Sequence, residues 1–254
     1  MLERVICGSA PLSAFLWKGI QAWTGAGEVL NAYGITETGS WTAGTTVDNF
    51  VAEDGLIGEP WGATIRILKS SSTERAPSTM TECAPSEEGY VWINTPALMH
   101  GYLDRPDLTD AVVAQGWFVT GDIGMIDERG RLYLRGRERE EINKGGMKVY
   151  PGDIDAVAER HPQIVDVCTF AYEDPLHGEN VGIAVVLNST NDDGLRDVYD
   201  FLREHLARFQ MPQRWYLLPE IPRTSRGKVN RGHVADQCRE RTPARVQSLA
   251  PREG

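Results

Sequence analysis

The 254-residue chain reads as a mixed α/β and α+β protein in two parts, with three observations behind that reading. From about residue 45 to 135, short strand-like runs separated by turns suggest a small antiparallel, barrel-like sheet. From about 140 the pattern becomes an alternation of strand and helix typical of a compact α+β unit. Between them lies a run of six charged residues, Arg135 and Arg137 to Glu141, interrupted only by Gly136, a composition suited to hinging and not to burial. The expected division is therefore residues 1–138 as an incomplete large domain, 139–242 as a mobile α+β domain, and 243–254 as a tail too polar to pack.

Taken in order, Val5 to Cys7 reads as a buried strand whose sheet neighbours are expected from earlier sequence, as though the chain opened in the middle of a domain. Leu12 to Thr24 carries apolar residues at 12, 15, 16, 20 and 23, close to helical spacing, and Gly25 suits the helix stop. Glu28 to Asn31 is a short strand leading to a glycine-bearing turn at Tyr33-Gly34, and Ser40 to Thr46 is read as an ordinary turn. Strands follow at Thr64–Leu68, Tyr90–Asn94, Trp117–Thr120, Ile123–Asp127 and Arg131–Leu134, with a hairpin turn at Asp127 to Gly130. Ser70 to Glu88 has no Leu, Ile, Val or aromatic residue and reads as a mobile surface loop with nothing to give a core. The second part supplies strands at Met147–Tyr150, Ile164–Ala171, Val181–Leu187 and Trp215–Leu218, and helices at about 153–160 and 195–208.

Bulk properties narrow the function classes. Hydrophobic content of 41% with 24% charged residues is globular, and a formal charge of −10 argues against nucleic acid or an anionic membrane as the partner. No apolar run approaches a membrane span, and the N-terminus has no signal-peptide pattern. Cys7, Cys83, Cys168 and Cys238 lack paired spacing, which fits reduced thiols in a cytoplasmic protein better than a zinc site or disulfide framework.

Four segments carry chemistry. Asn31 to Gly39 places an aromatic ring (Tyr33), a glycine that permits close backbone approach (Gly34), a hydroxyl (Thr36) and a carboxylate (Glu37) within five residues. Those parts suit a nucleotide with magnesium, and they equally suit a capped turn with a core tyrosine. Thr120-Gly121-Asp122 reads as a turn at a strand end, where a carboxylate can accept two sugar hydroxyls or simply close the turn. Gly136 to Pro151 contains the adjacent glycines Gly145 and Gly146 before a strand, a narrow backbone surface past which a slender ligand could run. Pro222 to Arg231 sets Lys228 beside Gly227 in a polar, basic stretch, either a solvated loop or a site for a carboxylate or phosphate.

These segments, in this order, resemble the adenylate-forming superfamily of acyl-CoA synthetases, peptide-synthetase adenylation domains and luciferases, and Gly8-Ser9-Ala10-Pro11-Leu12 and Gly101-Tyr102 also match. The resemblance covers nearly the whole chain and corresponds to the C-terminal half of a member. It implies that ATP or AMP is bound with Tyr33 on adenine, Gly34 beside it, Thr36 at the α-phosphate, and Asp122 with Arg137 on the ribose. Glu37 would hold Mg2+, Arg139 would be the hinge (usually an aspartate or lysine), and Gly8, Ser9 and Ala10 would edge the acyl pocket. Gly145 and Gly146 would line a pantetheine tunnel, Lys148 would meet a coenzyme A phosphate, and Lys228 would bridge the substrate carboxylate and α-phosphate. Asn143 stands where many relatives carry lysine.

The family's phosphate-cradling loop ending in lysine has no counterpart in the sequence; Ser40 to Thr46 lacks the lysine and follows Tyr33-Gly34 instead of preceding it. The implied activity is thus the C-terminal portion of an acid–CoA or acid–carrier-protein ligase, inactive alone and needing a missing N-terminal half or acting as half of a split enzyme. The alternative is a non-catalytic module for AMP, acyl-adenylate or a pantetheine arm. The small carboxylic acid substrate stays open, with a lean toward aryl or fatty acids from Ile142-Asn143-Lys144-Gly145-Gly146.

Overall fold

The computed structural model describes residues 2–46, 51–73, 77–188, 192–225, 227–244 and 246. It has mixed α/β architecture and falls into two compact units, Met1–Arg139 and Glu140–Gly254.

In the first unit, β1 (Arg4–Gly8) runs parallel to β2 (Glu28–Ile35), and α1 (Ala14–Thr24) links them. Ser13 caps α1 by accepting from the Leu16 amide at 3.2 Å, and Gly25 closes it at φ 64°. The helix docks through Trp17, which is fully buried and donates its indole N–H to the Val29 carbonyl at 2.7 Å. The antiparallel strands are β3 (Ser40–Gly44), β4 (Leu56–Pro60), β5 (Thr64–Leu68), β6 (Gly89–Asn94), β7 (Val113–Ala114), β8 (Trp117–Ile126) and β9 (Leu132–Arg137), with α2 (Pro106–Asp110) before β7. Spatial order is β1-β2-β3-β4-β9-β8-β6-β5, with β7 beside β8. The array is an open sheet among the described residues: the small antiparallel sheet expected there is present, and it does not close into a barrel. Tyr33, Ala43, Ile57, Ile65, Ile67, Val91, Ile93 and Leu132 form its core.

Four local expectations are corrected. Among the described residues β1 pairs only with β2 and is an edge strand, its residues alternating between exposed and half-buried, where a buried strand was expected. Ser40–Gly44 is a strand and not a turn, because Gly34 lets β2 and β3 approach at a bulge: a Cβ on Gly34 would sit 2.1 Å from the Ser40 carbonyl oxygen. The Thr-Gly-Asp segment does not end a strand. It lies inside the ten-residue β8, where Tyr90 pairs Ile123 and Trp92 pairs Val119, so that Thr120, Gly121 and Asp122 together face Val91. Within Ser70–Glu88, Pro77 is buried, Met80 and Cys83 pack against core clusters, and the Cys83 amide donates to the Ile67 carbonyl at 2.8 Å. Its backbone pairs without needing large apolar side chains, while residues 74–76 lie outside the described set.

In the second unit β10 (Ile142–Lys144), β11 (Met147–Val149), α3 (Pro151–Ala158), β12 (Ile164–Asp174), β13 (Gly178–Leu187), α4 (Asp192–His205), β14 (Arg214–Leu217) and α5 (Arg231–Arg239) follow in sequence. The sheet order is β11-β10-β13-β12, with β14 parallel to β13. Alternation along the strands sends Val167, Ile183 and Val185 to a face covered by Ile154 of α3 and Val198 and Leu202 of α4. Cys168, Phe170 and Ala184 face Val234 and Cys238 of α5 on the other side. Helix α5 has only a Val–Cys pair four residues apart as its apolar stripe, too little for the sequence pattern to reveal it. Ala244 and Val246 pack on the first face, so the start of the segment read as a non-packing tail joins the core; the rest lies outside the described residues. Among the described residues no helix is long and apolar enough to cross a membrane.

Candidate nucleotide site and lysine loop

The first unit builds its site around Asp122. The three-residue excursion of β8 needs a left-handed backbone, which Gly121 supplies at φ 72°. Thr120 pins the excursion twice, donating its hydroxyl to the Val91 carbonyl and accepting from the Asp122 amide, both at 2.9 Å. The buried Asp122 carboxylate then accepts from Tyr33 Oη at 2.5 Å and lies 3.1 Å from Arg137 Nε on the neighbouring strand. Burial, and then the Asp122 charge, push the Tyr33 phenol well above its ordinary range, so it stays protonated as a donor. Tyr33 is 9% exposed and belongs to the sheet core, so the sequence alternative of a core tyrosine describes most of its surface. Thr120, which ties the bulge together, was not singled out in the sequence; its signal is only its place before a Gly-Asp pair.

A pocket of about 240 Å3 lies beside this bulge, lined by Thr120, Gly121, Arg137, Glu138 and Arg139. Glu138–Glu140 forms a single 3-10 turn in which Arg139 is exposed, and the two compact units divide after that residue.

The turn after β2 (Thr36–Thr38) exposes Thr36 and closes with the Gly39 amide donating to the Thr36 carbonyl at 3.0 Å. Glu37 is held from a distant loop: the Met99 amide donates to its carbonyl and Tyr102 Oη donates to Oε1, both at 2.8 Å. Burial first and Glu37 second raise the Tyr102 phenol to about 12. No group of three or more His, Cys, Asp or Glu placed to hold a metal ion occurs among the described residues. A single oriented carboxylate suits Mg2+, which keeps waters and takes phosphate oxygens alongside one or two carboxylates. Gly8, Ser9 and Ala10 are exposed at the end of β1, where Gly8 pairs with Ala32, the residue before Tyr33, and Ser9 adopts φ 71°.

In the second unit Gly145 and Gly146 form the two-residue turn of the β10–β11 hairpin, at φ 59° and 89°. Two successive positive φ values define the hairpin turn that glycine pairs favour. The Gly145 amide donates to the His177 carbonyl at 3.0 Å, and the Gly146 amide to Asn143 Oδ1 at 2.9 Å. Lys148 is exposed and pairs with Glu141 at 3.1 Å. Lys228 is exposed on a closed loop: its carbonyl accepts from the Thr224 amide at 2.7 Å and its own amide donates to Thr224 Oγ1 at 3.2 Å. Its ammonium has no carboxylate partner among the described residues. Arg223 and Arg231, flanking this loop, carry side-chain contacts that sequence alone could not assign.

A family model of AMP-binding enzymes matches residues 1–103, and one of the AMP-binding enzyme C-terminal domain matches residues 153–228. The chain is 32% identical over 234 residues to an oxalate–CoA ligase of Arabidopsis thaliana, covering 92% of this chain and 44% of that one. The structure of ATP-bound MatB from Rhodopseudomonas palustris superposes with a TM-score of 0.79 at 29% identity, covering 92% of this chain and 45% of MatB. The o-succinylbenzoate CoA synthetase of Bacillus subtilis, bound to its acyl-adenylate, gives 0.81 at 25% identity over 95% and 47%. The chain thus spans less than half the length of the curated relatives it matches.

Proposed function

We propose, from the premise that this chain belongs to the adenylate-forming superfamily of AMP-binding enzymes, that it is the C-terminal portion of an acid–CoA ligase. The observation that carries this reading is the Thr120–Asp122 bulge, which holds a buried carboxylate between Tyr33 and Arg137 beside a pocket. That carboxylate is an acceptor for the two ribose hydroxyls, and the exposed strip of Tyr33 meets the adenine edge. Thr36 donates to the α-phosphate, and Glu37 would hold Mg2+, which would supply positive charge to the phosphates. Lys228 supplies a positive charge to the carboxylate and the α-phosphate as the carboxylate oxygen attacks phosphorus and pyrophosphate leaves.

In the second half-reaction the thiol of coenzyme A or of a carrier-protein phosphopantetheine loses its proton to solvent and attacks the acyl carbon, and AMP departs. Gly145 and Gly146 offer the arm a backbone surface, Lys148 a phosphate contact, and Gly8 to Ala10 the rim of the acyl pocket. Arg139 is the pivot between the two half-reactions. A cytoplasmic location fits the four free cysteines.

The test is carboxylate-dependent pyrophosphate exchange after mixing the chain with a polypeptide bearing the family's phosphate-binding loop. Exchange that Lys228→Ala abolishes supports the reading; equal exchange with and without Lys228 refutes it. Because Tyr33, Asp122 and Arg137 are already assembled within one unit, a nucleotide-binding module is the second reading. Tight AMP binding by the chain alone, with no exchange in the mixture, would favour it.

A further inference from the structure

Lys228 sits on a loop whose two ends are each anchored by an arginine. On the first side, Arg223 Nη2 reaches both oxygens of Asp166 at 2.8 Å, and Nη1 donates to the Gly227 carbonyl at 3.1 Å. On the second side Arg231 opens helix α5, three residues after Lys228. Its side chain is largely buried: Nη1 donates to Asp155 Oδ2 at 2.5 Å and to the Thr169 carbonyl at 2.9 Å, joining α3 to β12. Asp155 is itself fixed to β12 by the Thr169 amide at 2.7 Å. A second nitrogen, Nε, donates to Glu140 Oε2 at 3.2 Å. Glu140 is the first residue of the second unit, next to Arg139.

We propose that Arg231 is a positioning residue for Lys228, locking the base of the lysine loop to the unit's core and, through Glu140, to the chain that leaves the pivot. The proposal rests on the reading of Lys228 given above. A loop lysine on a four-carbon stem reaches many positions, so transition-state stabilisation depends on a fixed base. The Glu140 contact is the telling one. It is half-exposed, and such ion pairs add little to stability, yet it ties the lysine mount to the residue after Arg139. Rotation at Arg139 then carries Lys228 with it as one body and does not leave the loop to find its place afterward.

Two measurements test this. In the chain alone, backbone hydrogen exchange at Gly227 and Lys228, both bonded to Thr224, is followed in Arg231→Lys and Glu140→Gln. Arg231→Lys should raise exchange there about tenfold or more, while Ile183 in the central strand stays protected. If Arg231→Lys fails to fold, Arg231→Met combined with Asp155→Asn removes both buried charges and takes its place. Unchanged loop exchange in a folded variant overturns the proposal.

In the enzyme completed with the missing loop, Arg231→Lys and Glu140→Gln should lower pyrophosphate exchange about tenfold. Thioester formation from supplied acyl-adenylate should stay within about twofold, because Lys228 serves the first step alone. Equal losses in both half-reactions would show a merely structural role and reject the proposal. Absence of exchange in the completed wild-type enzyme would count against the Lys228 reading, and the hydrogen-exchange result would still decide whether Arg231 fixes the loop.

Discussion

Tyr33 and Asp122, 89 residues apart in sequence, are joined by a 2.5 Å hydrogen bond from phenol to carboxylate inside the first unit. The bond couples a strand of the sheet core to the bulge that projects the candidate ribose acceptor. Tyr33→Phe keeps the packed ring and removes one of the donors holding a buried carboxylate. Loss of a hydrogen bond to a charged group predicts destabilisation by about 1.5–3 kcal/mol, read from urea unfolding. AMP affinity should fall with it, since Asp122 then loses one of the groups that fix its orientation.

Gly34 answers to geometry instead of chemistry. Its Cβ would lie 2.1 Å from the Ser40 carbonyl oxygen and 2.6 Å from the Trp41 Cα, both backbone atoms that cannot swing aside. Gly34→Ala should cost at least the upper end of about 1–3 kcal/mol typical of overpacking. A variant with wild-type stability would mean that β2 and β3 separate more easily than their register implies.

Tyr102 orients the Glu37 carboxylate from the loop after β6. On the proposed role of Glu37 as the Mg2+ carboxylate, Tyr102→Phe should weaken magnesium-dependent ATP binding about tenfold, as loss of a group orienting a ligand commonly does. Binding of AMP without metal should hardly change. Calorimetry with and without Mg2+ separates the two.

Asp174 makes a pH prediction. The His177 amide, the His177 ring, and further donors from Asn180 and Leu176 hold its carboxyl down to about 2, from an ordinary 3.8. A depressed carboxyl contributes stability above its unfolded pKa and loses it as pH falls through the folded value. The gap in melting temperature between wild type and Asp174→Asn should therefore be full at about pH 5, shrink below about 4 and vanish only below about 2. A gap constant across that window would dismiss these bonds as the cause.

Much of this was legible in the sequence because the chemistry sits in short, local clusters. Helix α1 and strands β5, β6, β12 and β13 showed themselves through periodicity. Strand β3 did not, because Ser, Thr and Gly look like turn residues and only Gly34 across the ladder makes them pair. The continuity of β8 through Thr120–Asp122 was hidden because a bulge and a strand end use the same residues. Helix α5 lacked an apolar stripe long enough to register. Long-range partners such as Tyr102 for Glu37, and Asp155 with Glu140 for Arg231, leave no spacing signal at all.

The Gly145-Gly146 turn carries a lesson for experimental design. Any bulky substitution there strains the hairpin while also narrowing the surface a pantetheine arm would cross, so lost activity alone could not be interpreted. Asparagine tolerates the left-handed region, so Gly145→Asn would keep the turn while adding a side chain beside His177. A Cβ at position 145 would lie 3.5 Å from the His177 ring carbon Cδ2, an ordinary van der Waals contact. A stable Gly145→Asn chain whose completed enzyme forms thioester slowly would report obstruction more than strain, making this position a gauge of arm width.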